Sequence, residues 1–338
     1  MRVLRFSQAN LPLIEADVDV PVAGSGDVLI QVQAAGICRS DAHYRSGFPP
    51  VEDGTVFGHE VAGAIVFVGS QTRGRTVGDR VVVHYTVGCG TCRFCVAGQE
   101  RFCSSGEMIG KDRDGGYAEY LGVPAQNTVL IPESVSYGAA AVMGCSSSTS
   151  LHALRKGRLA AGEVVAIVGA GGLGVSAIQL ALLLGASKVF AVDIDEDKLT
   201  AAQTFGAIPI DGDDDPATAI SAAGGADVAL ELVGSPALMR TCLDALRPLG
   251  RAVAVGLTPD TFAVGPYTDL VAGEKELIGC SDHTIADLEE LMGLAESGLF
   301  AADTLVTNSV TFTSKSVNGV LDALDSGTAP ARTIIQFD

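Results

Sequence analysis

Tryptophan is absent from the 338 residues, and aromatic side chains of all kinds make up only 5%. A core without large rings must be filled by Ala, Val, Leu and Ile, a bias that suits buried parallel strands with helices packed on them. Cations are also few. There are 22 Lys and Arg against 40 Asp and Glu, a net charge of −18. That excludes the basic footprint of a nucleic-acid binder, and an anionic membrane surface would repel the chain. The charge, concentrated in stretches such as Asp211-Gly212-Asp213-Asp214-Asp215, reads as a soluble surface; a saline habitat is the sharper alternative. No apolar run reads as a membrane span. The longest, residues 164–192, is broken by Gly169, Gly171, Gly172, Gly174 and Gly185 and contains Lys188. The opening residues 1–6 read as a strand rather than a secretory signal, so a cytoplasmic, reducing location is expected.

What is present is hydrophobic residues at 47%, 41 glycines and eight cysteines. The length exceeds one ordinary core, so two domains are expected. In a reducing compartment cysteines serve metals or catalysis more often than disulfides. Four of them form Cys89-x2-Cys92-x2-Cys95-x7-Cys103. Four thiolates on short spacers fit tetrahedral zinc in a closed, structural site. Cys38, His59 and Cys145 are spread along the chain, and they are the ligand types of an open zinc site with a fourth position for water or substrate.

The first part of the chain is rich in short strands (residues 28–33, 60–69 and 79–83) punctuated by Gly and Pro, as in an irregular barrel-like all-β unit. Near residue 147 the rhythm changes. Strands are expected at 164–168, 189–192, 208–210, 228–232 and 252–255, with helices at 175–184, 196–205, 216–222 and 236–246 between them. Repeated βαβ units predict a parallel, doubly wound sheet. The alternation stops near 280, and a helix at 287–297 leads into a mixed final segment. The expected class is α/β. The expected boundaries are 1–146, with a four-cysteine lobe at 86–105, then 147–280, then 281–338 returning to the first domain.

Gly169-Ala170-Gly171-Gly172-Leu173-Gly174 follows an apolar strand and opens an apolar helix. The glycines permit a tight turn, close backbone approach to a pyrophosphate and close helix–strand packing, and the helix N-terminus presents unpaired N–H groups. Asp193, nineteen residues after Gly174, ends the next strand. A carboxylate there accepts from both adenosine ribose hydroxyls and repels a 2′-phosphate, which favours NAD over NADP. A helix cap is the competing role for such a residue, and Asp195 is the better placed of the two.

Taken together, Gly36-Ile37-Cys38-Arg39-Ser40-Asp41-Ala42-His43, Gly58-His59-Glu60-Val61-Ala62-Gly63, the four-cysteine run, Gly115-Gly116-Tyr117-Ala118-Glu119-Tyr120, Cys145, the glycine turn and Asp193 resemble the zinc-dependent medium-chain alcohol dehydrogenase family over essentially the whole chain. The resemblance implies a GroES-like catalytic domain and a Rossmann domain. It implies two zinc ions per chain: a catalytic one on Cys38, His59 and Cys145 with Glu60 close by, and a structural one on Cys89, Cys92, Cys95 and Cys103. Asp41 would orient His59. Ser40 would meet the substrate oxygen, and His43 would end a proton relay. Arg39 and Arg332 would reach the cofactor pyrophosphate and Lys198 the adenosine ribose, although each could be a plain surface charge. Tyr85, Thr86 and Phe48 are pocket candidates, with Leu257 and residues 281–283 weaker ones. His84, His152 and His283 receive no metal role, and Cys242 and Cys280 are expected to be buried. The implied reaction is reversible hydride transfer between a primary or secondary alcohol, or its carbonyl, and NAD, in a homodimer or homotetramer. A polyol or sugar dehydrogenase is the nearest rival; a non-catalytic nucleotide-binding protein retaining the fold is the rival of another class.

Overall fold

Strand-forming runs rich in Val and Ile, cut by glycine turns, assemble into two compact units in the computed structural model, which describes residues 1–337. One unit comprises residues 1–148 together with the segment from His283 onward; the other is Thr149–Asp282. No helix among the described residues is long and apolar enough to cross a membrane.

The first unit is built on a seven-stranded sheet. Its order is Asn308–Thr311, Thr333–Gln336, Asp27–Ile37, Glu60–Val68, Arg80–Val83 and Thr128–Leu130, with Tyr120–Pro124 also pairing with Asp27–Ile37. The long strand Asp27–Ile37 alternates buried Val28, Ile30 and Val32 with less buried neighbours, so one face supplies the core with Ile65, Val81, Val83, Leu121 and Val123. Its pairing with Glu60–Val68 is antiparallel, and Gly36 lies opposite Glu60. Close approach demands glycine within this pair. A Cβ on Gly63 would sit 2.2 Å from the Gln31 carbonyl oxygen. The expected helix near 287–297 is Ile285–Glu296, begun by a Thr284/Asp287 capping box and followed by Gly298 at φ +73°.

The second unit is a six-stranded, wholly parallel sheet. Its order is Ile208–Asp211, Lys188–Asp193, Val164–Val168, Ala226–Glu231, Leu246–Ala254 and Glu276–Gly279. This is the doubly wound arrangement in which the first strand is central and the order reverses beside it. Ala226–Glu231 is buried at every residue, as a strand covered on both faces must be. The helices are Gly172–Leu183, Glu196–Thr204, Pro216–Ala222 and Pro236–Ala245. Pro216 and Pro236 occupy the first turn, where a missing N–H costs nothing. Cys242 is fully buried here, whereas Cys280 is only partly so.

Candidate active site

Three backbone devices converge on one buried cluster. Cys38 ends the strand Asp27–Ile37 and is the N-cap of the helix Arg39–Ser46. Its N–H donates to Asp41 Oδ2 at 2.9 Å, which fixes the turn. His59 and Glu60 stand at the start of Glu60–Val68, after Gly58 at φ +95°, where a Cβ would also strike the Tyr117 ring at 2.3 Å. Cys145 sits within a π-turn, Met143–Ser147, that follows the helix Tyr137–Val142. The π-turn displaces carbonyls from their usual partners. Ser148 Oγ donates to the Met143 carbonyl at 2.7 Å, and Ser146 Oγ to that of Val142 at 3.2 Å. One ligand atom from each of Cys38, His59, Glu60 and Cys145 lies within 4.8 Å of all the others, and all four residues are buried.

Asp41 is fully buried and collects three donors: the Cys38 N–H, the Tyr117 hydroxyl at 2.9 Å and His59 Nδ1 at 3.2 Å. A carboxylate at Nδ1 holds the proton there and leaves the Nε2 lone pair for the cluster. The electrostatics are those of a site built for a cation. Cys145 and then His59 hold the Cys38 thiol well below its ordinary value against the effect of burial, while the bond to Cys38 and burial push Cys145 well above it. Burial acts to lower His59, but Asp41 outweighs it and the imidazole ends well above its usual value. Two sulfurs, an imidazole nitrogen and a carboxylate crowded out of water fit a zinc ion, whose charge takes the place of the shared protons.

Glu60 meets Arg332 across the sheet. Its Oε2 accepts from Arg332 Nη2, while its Oε1 is buried with no hydrogen-bond partner. Burial pushes the Glu60 carboxyl up to about 7, with Arg332 acting against the rise. The pair needs glycine opposite it, since a Cβ on Gly36 would lie 1.8 Å from Glu60 Oε2. Arg332 is thus not a surface charge. It is 5% exposed and tied to Glu60, a partner the sequence did not point to.

Ser40 lies one turn from the cluster, its Oγ 3.7 Å from Cys38 Sγ. His43 is partly buried, and burial together with Arg39 lowers its pKa. Arg39 is exposed. Tyr85 is 1% exposed and packs edge-on to His59, ring centroids 5.1 Å apart. Phe48 is partly buried and precedes a cis proline. Sequence reasoning assigned His84 and His283 no metal role and His283 only a weak pocket role; it did not join them, and the fold brings them into direct contact beside Tyr85.

The second cluster is Cys89, Cys92, Cys95 and Cys103, again with sulfurs within 4.8 Å of one another. Cys92 caps the short helix Arg93–Val96, and backbone N–H groups of Cys89, Cys92 and Cys95 point at neighbouring sulfurs at 3.4–3.5 Å. Such N–H···S contacts favour thiolates. Those of Thr91 bring Cys89 down to about 6, whereas desolvation drives Cys95 up to about 12. A closed set of four sulfurs matches structural zinc.

In the Rossmann unit, Val164–Val168 turns at Gly169, φ +102°, into the helix Gly172–Leu183 with Gly171 as its N-cap. A Cβ on Gly174 would lie 2.1 Å from the Gly169 carbonyl oxygen, whereas one on Gly171 would meet nothing within 4 Å. The first glycine brings helix and strand together; the second leaves open space over the helix N-terminus, where a pyrophosphate fits. Leu173, the residue between the last two helical glycines, is partly buried and its carbonyl accepts from Ser150 Oγ at 2.9 Å. Asp193 accepts from the Ala170 N–H at 2.8 Å and from those of Ile194 and Asp195 at 2.9 and 3.2 Å. It therefore braces the glycine turn as well as ending its strand. Asp195 caps the next helix, and Lys198 Nζ lies 3.4 Å from its carboxylate rather than standing free.

Residues 24–133 match the family described as "Alcohol dehydrogenase GroES-like domain", and residues 172–297 match "Zinc-binding dehydrogenase". The chain is 33% identical to an alcohol dehydrogenase of Geobacillus stearothermophilus, covering 100% of both chains. It is 30% identical to an NAD-dependent alcohol dehydrogenase of Sulfolobus acidocaldarius, covering 99% of both. Among solved structures, the alcohol dehydrogenase TADH from Thermus sp. ATN1 superposes with a TM-score of 0.90 at 30% identity, covering 99% of each chain. With both halves matched and whole-length relatives at this identity, the chain belongs to the zinc-dependent alcohol dehydrogenase family of the medium-chain dehydrogenase/reductase superfamily, as an NAD(P)-dependent oxidoreductase.

Proposed function

We propose that the protein catalyses reversible hydride transfer between a small or medium primary or secondary alcohol, or its carbonyl product, and NAD(H). The observation that carries this reading is the buried set of Cys38, His59 and Cys145 with Glu60 at its edge, two thiols and an imidazole within 4.8 Å. These residues would hold a zinc ion, which would supply the Lewis acid that lowers the pKa of an alcohol, with a nicotinamide as the hydride acceptor.

The chain's own groups do the rest. Asp41 keeps the proton on His59 Nδ1, so that Nε2 stays a ligand. Ser40 takes the alcohol's proton on its hydroxyl oxygen while passing on its own. His43 is the terminal acceptor, and its lowered pKa keeps it neutral and able to accept near pH 7. Glu60, neutralised in part by Arg332, gives the cluster a carboxylate whose free oxygen can approach a cation when ligands exchange. Asp193 would select NAD, with Gly169, Gly171, Gly172, Leu173 and Gly174 forming the pyrophosphate turn and Arg39 and Lys198 adding positive charge nearby. Cys89, Cys92, Cys95 and Cys103 would hold a second, structural zinc. Assembly as a dimer or tetramer belongs to this reading, because Glu276–Gly279 ends its sheet and presents an unpaired edge.

The test is growth of reduced-nicotinamide absorbance across a panel of alcohols, with NAD and NADP separately and with a zinc chelator. Chelator-sensitive turnover is expected. Cys38→Ser and His59→Ala should lower it at least a thousandfold while the dinucleotide still binds; normal alcohol oxidation by either variant would overturn the mechanism. A panel silent to alcohols but active on polyols would move the assignment to that branch.

A further inference from the structure

Three of the five histidines have no part in the mechanism above, yet all are buried, and two of them, His84 at 1% exposed and His283 at 0%, form a pair. They touch each other, His84 Nδ1 to His283 Nε2 at 3.1 Å, across 199 residues of sequence. The other nitrogen of His84, Nε2, lies 2.8 Å from Glu100 Oε1, an ion-pair contact that is out of line for a hydrogen bond. Glu100 belongs to the four-cysteine lobe, between Cys95 and Cys103. The same carboxylate oxygen accepts from the N–H of Ile285 at 3.3 Å, the first residue of the helix that follows His283.

These contacts bias the proton positions. A carboxylate accepts only, so its approach favours the His84 proton on Nε2. With the proton there, Nδ1 accepts and His283 donates from Nε2. The order from Glu100 to His84 to His283 is then set from the lobe end. It ends on Tyr85, whose ring stands edge-on to His283 at 5.1 Å and edge-on to His59 at 5.1 Å. Asn127 locks the backbone beneath, donating from Nδ2 to the carbonyls of His84 and Thr86 at 2.9 and 2.7 Å.

We propose that Glu100, His84 and His283 are positioning residues that seat Tyr85 against His59, so that the four-cysteine lobe sets the size of alcohol the catalytic centre accepts. This deepens the alcohol dehydrogenase reading and rests on it for its substrate half.

The experiment compares wild type with Glu100→Ala, Glu100→Gln and His283→Asn, as zinc-loaded full-length protein. Ring N–H resonances of 15N-histidine-labelled protein read the relay directly. Glu100→Ala should move both the His84 and the His283 resonances; Glu100→Gln, which keeps a carbonyl acceptor, should leave both near their wild-type positions. The kcat/KM ratio of a two-carbon alcohol to benzyl alcohol should change about tenfold in Glu100→Ala and in His283→Asn, mainly through KM, with the metal content of the catalytic site unchanged. Glu100→Gln should stay within about twofold of wild type. If Glu100→Ala empties the lobe, His283→Asn, which lies outside it, decides the ratio. Movement of the His84 resonance alone, or a uniform fall in kcat/KM without a change of ratio, would overturn the proposal. A wild-type protein that oxidises no alcohol removes the substrate half together with the functional reading, and the resonances still decide the relay.

Discussion

Asp41 never enters the metal cluster, yet it governs the cluster's geometry. Three donors converge on its two oxygens, one from the backbone of Cys38, one from Tyr117 and one from His59. Replacing it by Asn keeps the shape but offers an N–H₂ where an acceptor is needed. His59 would then lose the group that pins its proton to Nδ1, and the tautomer with the proton on Nε2 would face the cluster. The expected result for Asp41→Asn is a 10- to 100-fold loss of affinity at the catalytic metal site. Chelator competition, read as metal released per chain, checks it; the four-cysteine site serves as the internal control and should not change. At this scale the sequence was informative wherever short spacing carries the chemistry. Cys38 and Asp41 are three residues apart, and the four cysteines span one lobe. It was uninformative where partners are distant. Glu60 and Arg332 are separated by 272 positions, and His84 and His283 by 199, so no local pattern joins them.

Elements differ in how well their residues announce them. The strand Val164–Val168 and the helix Pro216–Ala222 were legible to the residue, because an unbroken apolar run and a proline after a capping Asp leave few alternatives. The strand Leu246–Ala254 begins six residues before its expected start. Leu246, expected to end the preceding helix, instead pairs with Ala226, and residues 247–250 leave the ladder, with Leu249 at φ +67°, before pairing resumes at Arg251. The π-turn Met143–Ser147 left no trace in hydrophobic periodicity, because what accompanies it is a pair of serine hydroxyls on backbone carbonyls rather than an apolar pattern. The glycine turn is the element whose tolerance is easiest to foresee. Gly174→Ala places a methyl 2.1 Å from the Gly169 carbonyl oxygen, a backbone atom that cannot swing aside. The helix must lift from its strand, at a cost of about 1–3 kcal/mol. Dinucleotide Kd should rise at least about tenfold, by titration of reduced-cofactor fluorescence, and the melting temperature should fall. Gly171→Ala, with nothing within 4 Å, should melt like wild type and still bind dinucleotide poorly, because its methyl would occupy ligand space.

For the whole molecule the dominant quantity is the charge of −18, set against a ligand that is itself an anion. The N-terminus of Gly172–Leu183 favours a bound pyrophosphate, and Arg39, if it serves the cofactor as proposed above, adds to that local attraction. The long-range field opposes its approach. The two act over different distances, so salt separates them. At about 10 mM ionic strength the Debye length is roughly 30 Å, and the whole surface repels the incoming ligand; at about 150 mM it is roughly 8 Å, and only the groups next to the ligand are felt. Raising salt across that range should therefore speed association, by about threefold for the reduced dinucleotide and less for the oxidised one, which carries less negative charge. Stopped-flow emission of the reduced nicotinamide reads this without tryptophan background, since the chain has none. A rate that falls with salt would mean that Arg39 and the helix terminus outweigh the rest of the surface, and that the acidic excess lies where the ligand never passes.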